Sequence, residues 1–230
     1  MIAAPEQAFD ELAEDYDRLL DDPLRQRFAG DNAFFIHQKC RALWRRLADA
    51  STAGRVPRIL DVGCGQGTAL RYLRAHARVF GCDVSQPMLA PAVREAPVVV
   101  QEPYDLPFQT ASFDAAYAFC VYHHVPREAH VRHLRELARV VRPGGLVCVF
   151  EHNPLNPITR RVFRRAPIDR GCEMIPRRQL EEVFVGAGLQ RIRHGYVLFA
   201  PEAVDRRIHI DPYLEWLPLG GQYYVCGESR

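Results

Sequence analysis

Apolar residues recur along this chain in two rhythms, and the change from one to the other divides it. Over residues 6–29, Phe9, Leu12, Tyr16, Leu19 and Leu20 keep a helical spacing, and over 32–50 Phe35, Leu43, Trp44 and Leu47 do the same. Pro23 has no backbone N–H, so it predicts a break in the first of these helices. From residue 56 short apolar runs alternate with helical stretches. Strands are expected over 57–62, 78–83, 97–101, 115–120 and 146–150, with helices over 67–77 and 128–140. Ser85 is placed to cap a further helix that has Pro87 in its first turn. This alternation argues for parallel βαβ units. Later, Asn156-Pro157 opens a basic helix and another runs over 176–186. Segments 189–200 and 222–227 read as a closing antiparallel pair of strands at the sheet edge.

A chain of 230 residues is near the size where one core still suffices, so a single domain over 1–230 is expected. Its parts are a helical lid over 1–52, a core over 56–151, and a segment over 152–230 that carries the last two strands. A net charge of +2 is too mild to argue for nucleic acid or an anionic membrane as partner. There is no signal peptide and no apolar run of spanning length, so a cytoplasmic protein is expected. The seven cysteines are scattered without a C-x-x-C pair, which suits reduced core thiols and gives no metal site. Lys39 is the only lysine among 30 basic residues, a bias without evident function.

The densest chemistry lies at Ile59-Leu60-Asp61-Val62-Gly63-Cys64-Gly65-Gln66-Gly67, a strand, a carboxylate at its end, and three alternate glycines before a helix. Glycines without Cβ let the backbone pass close to a ligand and offer it free N–H groups. Asp61 would repel a pyrophosphate there, so a dinucleotide is disfavoured; a ligand with a cationic group and no phosphate, such as S-adenosylmethionine, meets both conditions. The other reading of Asp61 is a cap on the turn. The run resembles motif I of the class I S-adenosylmethionine-dependent methyltransferases. Asp83 at the next strand end, Leu106-Pro107-Phe108 through Ser112-Phe113-Asp114, and the turn Arg142-Pro143-Gly144-Gly145 are similar to that family in the same order. The resemblance covers residues 58–151. It implies a Rossmann-like, doubly wound α/β sheet, mostly parallel with an antiparallel last strand, under an N-terminal helical lid. It also implies S-adenosylmethionine as cofactor, with Asp83 on the ribose and Glu102 on the adenine amino group. The cofactor set it suggests is Tyr16, Asp61, Gly63, Cys64, Gly65, Asp83, Val84, Met88, Glu102, Pro103 and Phe119, with His37 beside Tyr16 in the lid.

Ligands of open α/β sheets gather at the carboxyl ends of the strands. Two such ends carry His123 and His124, and Glu151 and His152. Histidine titrates near neutrality, so His123 or His124 is a candidate base for the acceptor's proton, against transfer by proximity alone or a purely packing role. Arg160 and Arg164 stack at i, i+4 spacing, as do Arg161 and Arg165. With Glu151 and His152, Arg160 and Arg164 form the candidate acceptor site, for a small molecule carrying phosphate or carboxylate; the competing reading is a solvated arginine face. No Asn/Asp-Pro-Pro-Tyr follows the fourth strand, which disfavours nucleic-acid methylation. The alternatives from other classes are a nicotinamide-dependent oxidoreductase, opposed by Asp61 and the lack of Tyr-x-x-x-Lys, and a non-catalytic S-adenosylmethionine-binding protein.

Overall fold

The structure, a computed structural model, describes residues 5–49 and 55–230. The outer residues of the expected lid, 1–4 and 50–52, lie outside the described residues. Four helices come first: α1 (Pro5–Leu12), α2 (Tyr16–Leu19), α3 (Pro23–Phe28) and α4 (Ala33–Asp49). The alternating part follows as β1 (Arg58–Val62), α5 (Thr68–Leu73), β2 (Arg78–Asp83), α6 (Gln86–Ala92), β3 (Val98–Val100), β4 (Phe113–Phe119), α7 (His130–Val140) and β5 (Val141–His152). The chain closes with α8 (Pro157–Arg165), α9 (Arg177–Gly186), β6 (Gln190–Val197), α10 (Glu202–Asp205), α11 (Asp211–Leu214) and β7 (Gln222–Glu228).

The seven strands form one sheet in the order β3-β2-β1-β4-β5-β7-β6. β1 to β5 pair in parallel, and β7 inserts antiparallel between β5 and β6. Alternation along the strands divides the core into two layers, because successive side chains point to opposite faces. Ile59, Ala115, Tyr117, Cys148, Phe150 and Tyr224 meet α4, α5 and α6 on one face. Leu60, Ala116, Ala118, Val147, Val149 and Tyr223 meet α7 and α9 on the other. The strand order reverses between β1 and β4, which opens a crevice beyond their carboxyl ends.

Helix starts follow the caps. The Ser85 side chain accepts from the Met88 N–H, and Asn156 accepts from the Thr159 N–H at 3.0 Å ahead of Pro157. Pro23 breaks the first helical segment as expected, and does so by opening a new helix. Asp22 accepts from the Leu24 N–H at 2.7 Å and the proline takes the first helical position, where no N–H is needed, so it starts α3. The segment ahead of it is also broken after Leu12, where a turn closed by Asp15 N–H to Leu12 O (3.2 Å) separates α1 from α2. Among the described residues no helix is long and apolar enough to cross a membrane.

Candidate active site

The glycine loop after β1 is shaped by its backbone. Gly63, Gly65 and Gly67 have φ of 74°, 48° and 81°, a region that side chains with Cβ seldom enter. A Cβ on Gly67 would come within 2.9 Å of the Ala92 backbone, so α5 and α6 close around the loop only because it is glycine. The Gly65 N–H donates to Asp83 Oδ2 at 2.8 Å, and the Ser85 N–H to Oδ1 at 3.0 Å. Asp83 is thereby fixed at the end of β2, and burial raises its pKa despite these bonds. Asp61 is 2 % exposed, and burial pushes its carboxyl up to about 7, with the Tyr117 hydroxyl acting against it and the Asp83 charge adding to it. Two buried carboxyls with raised pKa values at adjacent strand ends make a place that gains from a cation.

A hollow of about 110 Å³ lies beside this loop, walled by Gly63, Gly65, Asp83, Val84, Met88, Pro103, Phe119 and Tyr16. Gln101 also lines it, and its buried Oε1 has no hydrogen-bond partner among the described residues. That oxygen suits an amino donor such as the one adenine carries. The donor set, the carboxyl pair and the bare glycine backbone fit S-adenosylmethionine. The lid closes over the hollow: Phe9 meets the His124 ring edge-on at 5.0 Å, and Ser85 Oγ donates to Asp10 Oδ1 at 2.6 Å. Gln66 Nε2 donates to Ala13 O at 3.2 Å.

A second cavity of about 720 Å³ shares Tyr16, Gly63, Gly65, Phe119, Cys120 and His124 with the first and also takes Asp61 and Cys64. Its far wall is built from α2, α3, α4 and α8, and Arg165 of α8 pairs with Asp22 of the lid at 3.3 Å. At its base His123 is sealed between two carboxylates, with Nδ1 2.8 Å from Glu151 Oε2 and Nε2 3.2 Å from Asp169 Oδ1. Burial alone would lower the His123 pKa, but the two carboxylates overcome it and hold it well above the usual imidazole value. Burial opposes ionisation of Glu151, yet His123 brings its pKa down to about 2. At neutral pH the trio is therefore a buried imidazolium between carboxylates. His124 has the opposite fate: burial, then the charge on His123, depress its pKa to about 3, so it faces the cavity neutral. His123, His152 and Asp169 bring donor atoms within 4.8 Å of one another.

The fold thus gathers most of the expected residues at the two hollows, and it corrects several. Glu102 is exposed, bridges to Asp105 in a turn and lines neither hollow; the pleat after β3 turns Gln101 inward in its place. His37 packs edge-on against Tyr72 at 4.1 Å, away from both hollows. His123 is buried, with both ring nitrogens engaged by Glu151 and Asp169. Arg160 and Arg164 are exposed and stay off the cavity, because α8 turns Phe163 and Val162 inward; Arg165 and, from α3, Arg25 line it instead. Glu151 is fully buried behind His123, whereas His152 reaches the cavity. Sequence reasoning missed Gln101, Arg25, Lys39, Asp169 and Gln222. Lys39, the sole lysine, is 3 % exposed with Nζ 3.4 Å from Cys120 Sγ, and its uniqueness was the one available signal.

A family profile described as a methyltransferase domain matches residues 60–149. The 2-phytyl-1,4-naphtoquinone methyltransferase of Synechococcus elongatus is 32% identical over 183 residues, covering 73% of this chain and 71% of that protein. The probable tRNA methyltransferase 9B of Mus musculus is 35% identical over 96 residues, 40% of this chain, which spans only about a fifth (21%) of that relative's length. In three dimensions the chain resembles a S-adenosylmethionine-dependent methyltransferase of Thermotoga maritima, a possible histamine N-methyltransferase, with a TM-score of 0.68 and 19% identity over 99% of this chain and 100% of that one. The chain belongs to the class I S-adenosylmethionine-dependent methyltransferases.

Proposed function

We propose that this chain methylates a small molecule that carries an anionic group and enters the cavity beneath the lid. The observation that carries this reading is the cavity itself: about 720 Å³, walled by lid helices and by α8, with Arg25 and Arg165 on its lining. A space closed in this way suits a small acceptor, and two guanidinium groups suit phosphate or carboxylate. The naphthoquinone methyltransferase, named for a small acceptor without an anionic group, supports the size of the acceptor and not its charge.

S-adenosylmethionine, when bound, supplies a methyl group already activated by its sulfonium. The chain's own residues bind and orient. Asp61, Asp83, Gln101 and the glycine loop hold the cofactor, while Tyr16, Phe9 and the lid exclude water. His124, neutral and facing the cavity, orients the acceptor by hydrogen bonding. Alignment in a dry site is the main contribution the protein makes to such a transfer.

The test incubates the protein with methyl-labelled S-adenosylmethionine and, in parallel, a fractionated small-metabolite extract or bulk tRNA. Label in an anionic small-molecule fraction, reduced in Arg165→Gln, is the expected result. Label in tRNA alone would overturn the acceptor class and leave the methyltransferase assignment standing.

A further inference from the structure

Where β4 ends, Cys120 takes a left-handed backbone conformation with φ of 57°, although it is not glycine. That bend puts its side chain on the wall shared by the two hollows. Lys39 Nζ of α4 lies 3.4 Å from Sγ, and Gln222 Nε2 of β7 lies 3.3 Å away. Lys39 is also held over the Phe119 ring at 5.1 Å, so its position is set from two sides. Gln222 is 6 % exposed and lines the same cavity, and its Oε1 has no hydrogen-bond partner among the described residues. A buried acceptor oxygen left open beside a thiol awaits a ligand that donates an N–H or O–H.

We propose that Cys120, paired with Lys39, is a nucleophilic thiolate site that takes soft electrophiles bearing an N–H donor, such as α-halo amides, through the acceptor cavity. The step needs no oxidant. The Cys120 sulfur lone pair forms the C–S bond while the carbon–halogen bond breaks, and halide leaves with its electron pair. The amide N–H of the ligand then meets Gln222 Oε1.

The charges facing Cys120 agree with this geometry. Burial raises its pKa, but Lys39 and His152 outweigh burial and the opposing Glu151 and bring it down to about 7. Tyr16 and Arg25 of the lid and Tyr223 of β7 also act electrostatically with this sulfur. The other six cysteines differ. Five are buried, and Cys172, part-exposed beside His124, has its thiol pushed up by burial. Thiolate content and access together govern the rate of alkylation; the Cys226 thiol is also lowered, by Cys148, but is buried, so Cys120 on the cavity wall separates from the rest.

The experiment treats the full chain with iodoacetamide between pH 5.5 and 9 and follows each cysteine-containing peptide by mass spectrometry. Cys120 is expected to be alkylated first at pH 7, about tenfold or more ahead of Cys172, with a rate midpoint near 7. Lys39→Met should move that midpoint upward by about a unit or more and slow the reaction at pH 7, while Lys39→Arg keeps most of it. Gln222→Leu should slow iodoacetamide more than methyl methanethiosulfonate, which has no N–H. Alkylation of Cys172 before Cys120 in the wild-type chain would overturn the proposal, even if Lys39→Met does not fold. So would a Cys120 midpoint in Lys39→Met, folded by thermal melt, equal to that of the wild type.

Discussion

The ends of β1 and β2 and the ends of β4 and β5 both bury carboxylates, and they neutralise them in different ways. At Asp61 and Asp83 no cationic side chain makes a hydrogen-bonded pair among the described residues; the bonds at Asp83 come from backbone N–H groups, and both pKa values are raised. At Glu151 and Asp169 an internal cation, His123, sits between the two, and both pKa values are lowered. One pair awaits a cationic ligand, whereas the other carries its own. The first is the proposed cofactor site. The second is a structural clasp that joins β4, β5 and the segment after α8 at the base of the acceptor cavity.

The largest effect should come from breaking the clasp. His123→Leu leaves Glu151 and Asp169 buried and unpaired, and removing one partner of such a pair costs about 3–5 kcal/mol. Denaturant unfolding at pH 7 would read that loss. The pH dependence sharpens it. The depressed Glu151 stabilises the wild-type chain above its unfolded value near 4.5, and that share is lost as pH falls toward 2; Asp169, also depressed, acts in the same direction. The raised His123 contributes fully below about pH 6.5 and loses its share as pH rises through its folded value. The variant should reverse the acid limb and gain stability between pH 7 and 4.5, as its unpaired carboxylates become neutral. A wild-type acid limb in His123→Leu would contradict the clasp.

Next comes the open pair. Asp83→Ala should weaken S-adenosylhomocysteine binding by about ten- to a hundredfold, since hydrogen bonds to a charged group are worth about 1.5–3 kcal/mol. Gln101→Leu removes one neutral bond and should cost roughly two- to tenfold, while Glu102→Ala should change nothing. Calorimetry on the three variants orders them; Glu102→Ala weakening binding more than Gln101→Leu would return the adenine role to Glu102. The smallest effect belongs to α8. Arg165→Gln should raise acceptor KM several-fold, and Arg160→Gln with Arg164→Gln should leave it unchanged. Equal effects from both would make the whole basic face, and not the cavity wall, the anion site.

The same contrast explains what the sequence disclosed. The open pair is legible because it is local: Asp61, the glycines and Asp83 lie within one βαβ unit, and positive φ at Gly63, Gly65 and Gly67 demands that residue type. The alternation of strands and helices was also legible, from short apolar runs, helical spacing and caps. The clasp and the thiol site were not. Asp169, Lys39 and Gln222 join His123 and Cys120 across 46, 81 and 102 residues of chain, and no spacing rule reaches that far. Helix periodicity likewise grouped Arg160 with Arg164 correctly but could not tell which face of α8 meets the cavity. Phe163, its buried residue, decides that.

The most direct measurement of the open-pair account is calorimetric titration of S-adenosylmethionine from pH 5.5 to 7, where an α-ammonium group with a pKa of about 7.7–8.0 stays charged. Binding a cation favours ionised Asp61, whose free carboxyl holds its proton up to about pH 7. The affinity of the wild-type chain should therefore rise with pH, approaching tenfold per unit at the acid end, with a proton released on binding. Asp61→Asn should bind more weakly at pH 7 and with a flatter profile. A wild-type affinity that is level or falls over this range, or an Asp61→Asn profile as steep as the wild type, would contradict the account.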